Sequence, residues 1–152
     1  NIISPQTSYQ ILSILKGAIE RGTGKSLNSI QYPIAGKTGT TNDSKDLWFF
    51  GLTPKFVVGV YVGYDNPKKI GYRETGSSVA LPIFKSFMEA YLQEDTDKNI
   101  DFFIPENIIL KKIDPNTGIF ETKNSSIIEY FTKDQLETIN NLNKVNTIGG
   151  IN

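Results

Sequence analysis

The sequence predicts an α+β fold, with a partial antiparallel sheet of three core strands and flanking helices. An amphipathic helical segment opens the chain, a block of aromatic and β-branched runs follows, and a second amphipathic helix comes next. Adjacent strand-like runs joined by short turns pair antiparallel, which leaves the two helices to cover the sheet.

The first helix is predicted from about Pro5 to Arg21. Ser4 supplies a capping hydroxyl, Pro5 suits the first helical position, and Gly22 ends the segment. Its apolar residues recur at near-helical spacing: Tyr9, Ile11, Leu12, Leu15, Ala18 and Ile19. A polar loop rich in turn-forming residues is expected at 22–33.

Three strands are predicted next, at Ile34 to Thr40, Asp46 to Thr53 and Phe56 to Tyr64. The first has unusually small side chains, and the other two read as a hairpin. We expect Gly59 and Gly63 to let a helix pack closely on the third strand. That helix is predicted at Val79 to Leu92, with an apolar stripe of Leu81, Phe84, Phe87, Met88 and Tyr91.

The composition becomes polar after Gln93, which predicts a change of organisation. Short strands at Ile108 to Ile113 and Gly118 to Thr122 flank the turn signal Asp114 to Thr117. We therefore assign residues 1–95 to the main domain and 96–131 to a small β-hairpin extension. Residues 132–152 are expected to form a short polar segment and a disordered tail.

Composition excludes several classes of function. The net charge is zero, so no basic field predicts a nucleic-acid partner. The chain contains no Cys and no His, which argues against thiol or imidazole catalysis and against most metal sites, and no cofactor is expected. No apolar run could span a bilayer. The first residue is Asn rather than Met, which suggests a piece of a longer protein.

Two Gly-Lys pairs resemble the end of a phosphate-binding loop, but the full motif needs a glycine five residues earlier. That position holds Ile19 for Gly24-Lys25 and Gln31 for Gly36-Lys37. The alternative is that Lys37-Thr38-Gly39 lies on a strand edge against which an extended ligand is laid. Small residues are needed where that ligand approaches, and the lysine suits a carboxylate.

The K-T-G tripeptide has informative neighbours in the chain. They are ISPQT (3–7), RGTG (21–24), AGKTGTTND (35–43), KDLWFFGLTP (45–54), VVGVYVGYDNP (57–67), ETG (74–76) and PIFKSFM (82–88). Together these segments resemble the transpeptidase domain of penicillin-binding proteins, most closely the bifunctional class A kind that also carries a glycosyltransferase domain.

The resemblance implies the C-terminal part of the fold shared by penicillin-binding proteins and serine β-lactamases, with the K-T-G strand at the edge of the active-site cleft. It implies that Lys37 and Thr40 are catalytic and that Lys37, Thr38, Gly39 and Thr40 bind the substrate. The backbone N–H of Thr40 would be an oxyanion-hole donor. No metal is implied.

The implied activity is cross-linking of peptidoglycan stem peptides by serine acyl transfer at D-Ala-D-Ala, with β-lactams as mimics. The parent protein would have a membrane anchor upstream and lie on the periplasmic side of a bacterial inner membrane. Two alternatives remain: a related DD-carboxypeptidase or β-lactamase, and a non-catalytic remnant that binds cell-wall peptide or a partner.

The family's nucleophile belongs to an S-x-x-K motif at a helix start, followed by S-x-N, and both precede K-T-G. Ser13 and Lys16 have the first spacing, but Ser13 lies in the middle of the predicted helix. We therefore expect a chain that lacks the nucleophile and is inactive alone. The strand Phe56 to Tyr64 would then be an exposed edge that favours self-association. Trp48, Phe49 and Phe50 are interpreted as core and cleft wall rather than a sugar-stacking platform.

Overall fold

A three-stranded antiparallel sheet lies at the centre of the computed structural model, which describes residues 2–94 and 99–148. Its strands are β1 (Ala35–Thr40), β2 (Leu47–Leu52) and β3 (Val57–Val62), in the order β1-β2-β3. The predicted sheet, its strand order and its antiparallel pairing are therefore confirmed. A turn at Thr53 joins β2 to β3, where the Thr53 amide donates to the Phe56 carbonyl at 2.9 Å.

The chain divides into two compact units. One contains Ile14–Phe103, and the other contains Asn1–Ser13 together with Ile104–Asn152. Residues 1–13 thus group with the C-terminal segment, whereas we expected a main domain at 1–95.

Helix α1 (Pro5–Glu20) begins where the Ser4-Pro5 signal predicted. The Ser4 hydroxyl accepts a hydrogen bond from the Thr7 amide at 3.1 Å, which is an N-cap contact. The last turns of α1 belong to the first unit, where Ile19 joins the core. A short 3₁₀ helix at Lys25–Ser29 then buries Leu27 in the same core.

Helix α2 (Leu81–Glu94) covers one face of the sheet. Leu81, Phe84 and Met88 of the predicted stripe are fully buried, and the Phe84 ring lies 4.9 Å from that of Phe49 on β2. Gly51 permits this approach, because a Cβ at this position would collide with the Phe84 ring. Burial of each such phenylalanine contributes about 1.5–3 kcal/mol to folding.

The opposite face of the sheet is only partly covered. The cross-strand register places Lys37, Phe50 and Gly59 side by side on it, with Trp48 opposite Tyr61. No described helix packs against Gly59 and Gly63, contrary to our expectation. They accommodate aromatic side chains instead, since a Cβ on Gly59 would lie 2.8 Å from the Phe50 ring.

The second unit contains a β-hairpin whose second strand differs from the prediction. Strand β4 (Ile108–Ile113) is where the sequence placed it, but its partner is β5 (Ile127–Thr132). The predicted partner at 118–122 makes a single bridge, from Phe120 to Ile113. The turn after β4 is tight, with Gly118 at φ 72°, and the longer apolar run of β5 pairs over six residues.

Helix α3 (Lys133–Ile148) occupies most of the range 132–152, where we expected a short polar segment and a disordered tail. A local signal for it was present in the sequence. The Gln135 amide donates to the Thr132 hydroxyl at 3.3 Å, and the Thr132 amide donates to the Gln135 side chain at 2.9 Å. This reciprocal pair is a capping box, and Leu136 in the first turn of the helix is buried. Residues 149–152 of the predicted tail lie outside the described residues.

Candidate functional site

The four predicted site residues lie together on the outer strand β1. Lys37 and Thr40 are exposed, and Thr38 and Gly39 are half-buried. Lys37 and Gly39 lie on the partly covered face of the sheet, opposite Phe50 and Trp48, whereas Thr38 and Thr40 lie on the face of Phe49 and Leu47. The Lys37 ammonium donates to the Thr38 carbonyl at 2.9 Å, with the Thr38 hydroxyl at 3.5 Å.

The Thr38 hydroxyl has a partner that sequence reasoning missed. Thr23 lies in the loop after α1, and its Oγ1 is 3.1 Å from Oγ1 of Thr38. The R-G-T-G segment was part of the family resemblance, but no role was assigned to it. The structure brings this loop to the site because Gly24 is buried against Ile19 in the last turn of α1.

The Thr40 hydroxyl also has a partner from a distant loop. The Gly76 amide donates to Thr40 Oγ1 at 3.0 Å. Gly76 begins a π-helical turn, Gly76–Ala80, that leads into α2 and is capped by Thr75 and Ser78. Only glycine fits here, since a Cβ on Gly76 would lie 2.7 Å from the Gly39 carbonyl oxygen and collide with that of Trp48.

An aromatic cluster lies beside Lys37 on the partly covered face. The rings of Trp48 and Phe50 stack with centroids 5.4 Å apart, and Tyr61 lies 4.6 Å from Trp48. Phe50 and Tyr61 are 47% and 48% exposed, so the cluster faces outward. Of the three aromatic residues interpreted as core and wall, Phe49 alone is fully buried, and Trp48 and Phe50 line this outward face.

The loop after β1 is fixed by a carboxylate network around Asp46. The Thr41 hydroxyl donates to Asp46 Oδ2 at 3.2 Å, and the Tyr61 hydroxyl donates to Asp46 Oδ1 at 2.9 Å. The hydrogen bond to Asp46 is the main reason that the pKa of Tyr61 is raised, followed by desolvation and the charges of Asp46 and Asp65. Asp46 therefore ties the end of β1 to β3.

Ser13 lies in the third turn of α1, away from the helix start that the family's nucleophile occupies. Lys16 makes contacts within the unit Ile14–Phe103. Its Nζ lies 4.0 Å from the Asp101 carboxylate and 5.9 Å from the centre of the Phe102 ring. These contacts favour a structural role for the S-x-x-K spacing in this helix.

Residues 2–94 and 99–148 contain neither a candidate metal site nor a helix that could span a membrane. No three Asp, Glu, His or Cys side chains in these segments are grouped so that they could hold a metal ion. None of the helices in these segments is long and apolar enough to cross a membrane.

An antiparallel sheet with K-T-G on its outer strand is typical of the serine acyltransferases that bind penicillin. A family model described as the penicillin-binding protein transpeptidase domain matches residues 1–89. The chain therefore belongs to the penicillin-binding protein transpeptidase family. The predicted resemblance to the class A members is confirmed by the relatives described next.

Relatives of this chain are named penicillin-binding protein 1A. The protein from Rickettsia prowazekii is 48% identical over 136 residues, which cover 89% of this chain and 17% of the relative. The Pseudomonas aeruginosa protein is 44% identical over 119 residues, covering 77% of this chain and 14% of the relative. The matched part of the chain thus spans 17% and 14% of the length of these two relatives.

A solved structure supports the same fold. The 2.6 Å crystal structure of penicillin-binding protein 1A from Haemophilus influenzae matches with a TM-score of 0.73 and 32% identity. The match covers 86% of this chain and 21% of that one. The α+β transpeptidase fold is therefore confirmed for this chain.

The Asp46 network leads to a prediction about Tyr61. A protonated phenol can donate to the Asp46 carboxylate and a phenolate cannot, so Asp46→Asn should lower the Tyr61 pKa toward its usual value near 10. Titration followed by the ¹³Cζ chemical shift of Tyr61 measures this. Asp43→Asn is the control, since Asp43 pairs with Lys45 and Lys69 instead. An unchanged Tyr61 titration in Asp46→Asn would show that the bond does not form in solution.

Proposed function

We propose that this chain supplies the carboxylate-binding side of a peptidoglycan DD-transpeptidase. The observation that carries the proposal is the position of Lys37 and the hydroxyls of Thr38 and Thr40 on one exposed outer strand. A fixed cation and two hydroxyl donors match the terminal carboxylate of a D-Ala-D-Ala stem peptide. A β-lactam, which carries a carboxylate in a similar position, would use the same groups.

The free edge of β1 supports a second role. The Thr38 carbonyl accepts from the Lys37 ammonium, which is consistent with its pointing away from β2. Since backbone groups of alternate residues point to the same edge, the N–H of Thr40 would share this edge. We assign it as an oxyanion-hole donor, a role worth about 2.7–4 kcal/mol in other acyltransferases.

The reaction proceeds in two acyl transfers in the complete enzyme. A serine hydroxyl from the S-x-x-K motif attacks the D-Ala-D-Ala carbonyl, loses its proton to a base, and forms an ester as D-alanine leaves with a proton. The amine of a neighbouring stem peptide then attacks this ester, and the serine is released. Lys37, Thr38 and Thr40 hold the carboxylate in the first step, while Thr40 N–H stabilises the oxyanion in both.

The proposal extends to the parent protein. We infer that it carries the glycosyltransferase activity of class A members as well. We also place it in the bacterial cell envelope, anchored in the inner membrane upstream of this chain, with these residues on the periplasmic side.

Lys37→Met should weaken binding of N-acetyl-D-alanyl-D-alanine by about one to two orders of magnitude, because it removes a charge-assisted contact and keeps the side-chain length. NMR titration of this chain measures the affinity. Lys25→Met is the matched control, since Lys25 is an exposed lysine at the start of the nearby 3₁₀ helix. Equal affinities for the two variants would contradict the assigned role of Lys37.

This chain alone should not be acylated by a fluorescent penicillin. Ser13, the only serine with S-x-x-K spacing, lies inside α1, and its Lys16 is engaged with Asp101. Gel fluorescence and intact-mass measurement test this, with an established penicillin-binding protein as the positive control. Stoichiometric labelling that maps to Ser13 would overturn this assignment.

Self-association is proposed through the outer strand β3. Val57, Val58, Val60 and Val62 lie on it, and β3 has no further strand beside it in the described residues. We expect sedimentation coefficients that rise with concentration for the chain as given, and less so for Val57→Lys, because a lysine blocks edge pairing. Val57→Thr is the control. A concentration-independent monomer would refute this pairing.

A further inference from the structure

Thr23 forms a direct contact with one of the two hydroxyls that the proposed function assigns to carboxylate binding. Its Oγ1 is 3.1 Å from that of Thr38, and the two residues are 15 positions apart in sequence. Thr23 is exposed and has no position in the K-T-G strand. The contact therefore links a separate loop to the site.

The direction of the hydrogen bond between Thr23 and Thr38 decides whether Thr38 can bind a carboxylate. A threonine hydroxyl donates one hydrogen bond and accepts up to two, whereas a carboxylate only accepts. Thr38 can bind a carboxylate only if its proton points to the ligand. A neighbour that donates to Thr38 Oγ1 leaves that proton free, and a neighbour that accepts from it does not.

The adjacent hydroxyl shows the required arrangement. Gly76 N–H can only donate, so Thr40 Oγ1 is the acceptor in that 3.0 Å bond and its proton remains available. At Thr38 the ammonium of Lys37, 3.5 Å from Oγ1, is likewise only a donor. Both contacts favour hydroxyl protons directed to an incoming acceptor.

We propose that Thr23 is a positioning residue that donates to Thr38, so that the Thr38 hydroxyl donates to the ligand's carboxylate. The inference rests on the proposed function and deepens it. The Thr38 and Thr40 hydroxyls, oriented as donors beside Lys37, favour a free terminal carboxylate over a carboxamide. The NH₂ group of a carboxamide is itself a donor and would face these donors without an acceptor. Thr23 therefore contributes to selection of peptides with an unblocked C-terminus.

The test compares Thr23→Val with Thr23→Ser in this chain. Valine keeps the shape of threonine without the hydroxyl, and serine keeps the hydroxyl. The probes are N-acetyl-D-alanyl-D-alanine and its C-terminal carboxamide, followed by NMR titration. A second readout needs no ligand: three-bond couplings of Thr38 report whether its χ1 angle has one rotamer or averages.

We expect Thr23→Val to weaken binding of the carboxylate peptide about three- to ten-fold and to leave the weaker carboxamide binding unchanged. Its Thr38 χ1 should average among rotamers. Thr23→Ser should retain both the carboxylate preference and the single rotamer. A purely structural role for Thr23 would change the two affinities together.

Two results would overturn the inference. One is a Thr23→Val chain with the wild-type preference for the carboxylate peptide. The other is a single Thr38 rotamer that persists in this variant. If the wild-type chain binds neither peptide, the proposed function fails, and the role of Thr23 in carboxylate selection fails with it. The rotamer couplings then still decide whether Thr23 orients Thr38.

Discussion

The register between β1 and β2 is the constraint on which the site depends. Pairing of Thr38 with Phe49 and of Lys37 with Phe50 places the threonine hydroxyls and the lysine on opposite faces of the outer strand. Phe49 is fully buried against Phe84, which fixes this register, because a slip by one residue would move Phe49 out of the core. The core thereby determines which groups β1 presents at its edge.

Two glycines near β1 lie where another segment packs directly against the backbone. Gly76 lies against the carbonyls of Gly39 and Trp48, and Gly51 lies against the ring of Phe84. The absence of a side chain at Gly76 lets the loop before α2 approach β1 and β2, and its absence at Gly51 lets α2 pack against β2. Thr23, Gly76 and Asp46 then stabilise β1 and the turn after it through contacts from three different loops.

The chain matches its family over a small part of the family's length. The match to the Rickettsia prowazekii protein covers 89% of this chain but 17% of that relative. The aromatic face formed by Trp48, Phe50 and Tyr61 lies beside Lys37, with Phe50 and Tyr61 exposed and Trp48 half-buried. This partly exposed face thus lies on the same side of the sheet as Lys37 of the outer strand β1.

Local patterns in the sequence were sufficient to predict most elements of the fold. The Ser4-Pro5 signal, the β-branched runs and the stripe on α2 each act over a few residues, so the two helices and the three strands could be located. Lys37, Thr38, Gly39 and Thr40 were singled out by the family resemblance instead. The capping box of Thr132 and Gln135 was equally local, but the polar composition of α3 obscured it.

Tertiary structure alone decided the contacts that join distant segments. Thr40 and Gly76 are 36 residues apart, and Thr38 and Thr23 are 15 apart, so no periodicity could pair them. The pairing of β4 with β5 rather than with 118–122 likewise joins segments that lie farther apart in the sequence than the predicted hairpin. The physical reason is that propensity and capping depend on neighbours in sequence, whereas hydroxyl orientation depends on which loops the folded core brings together.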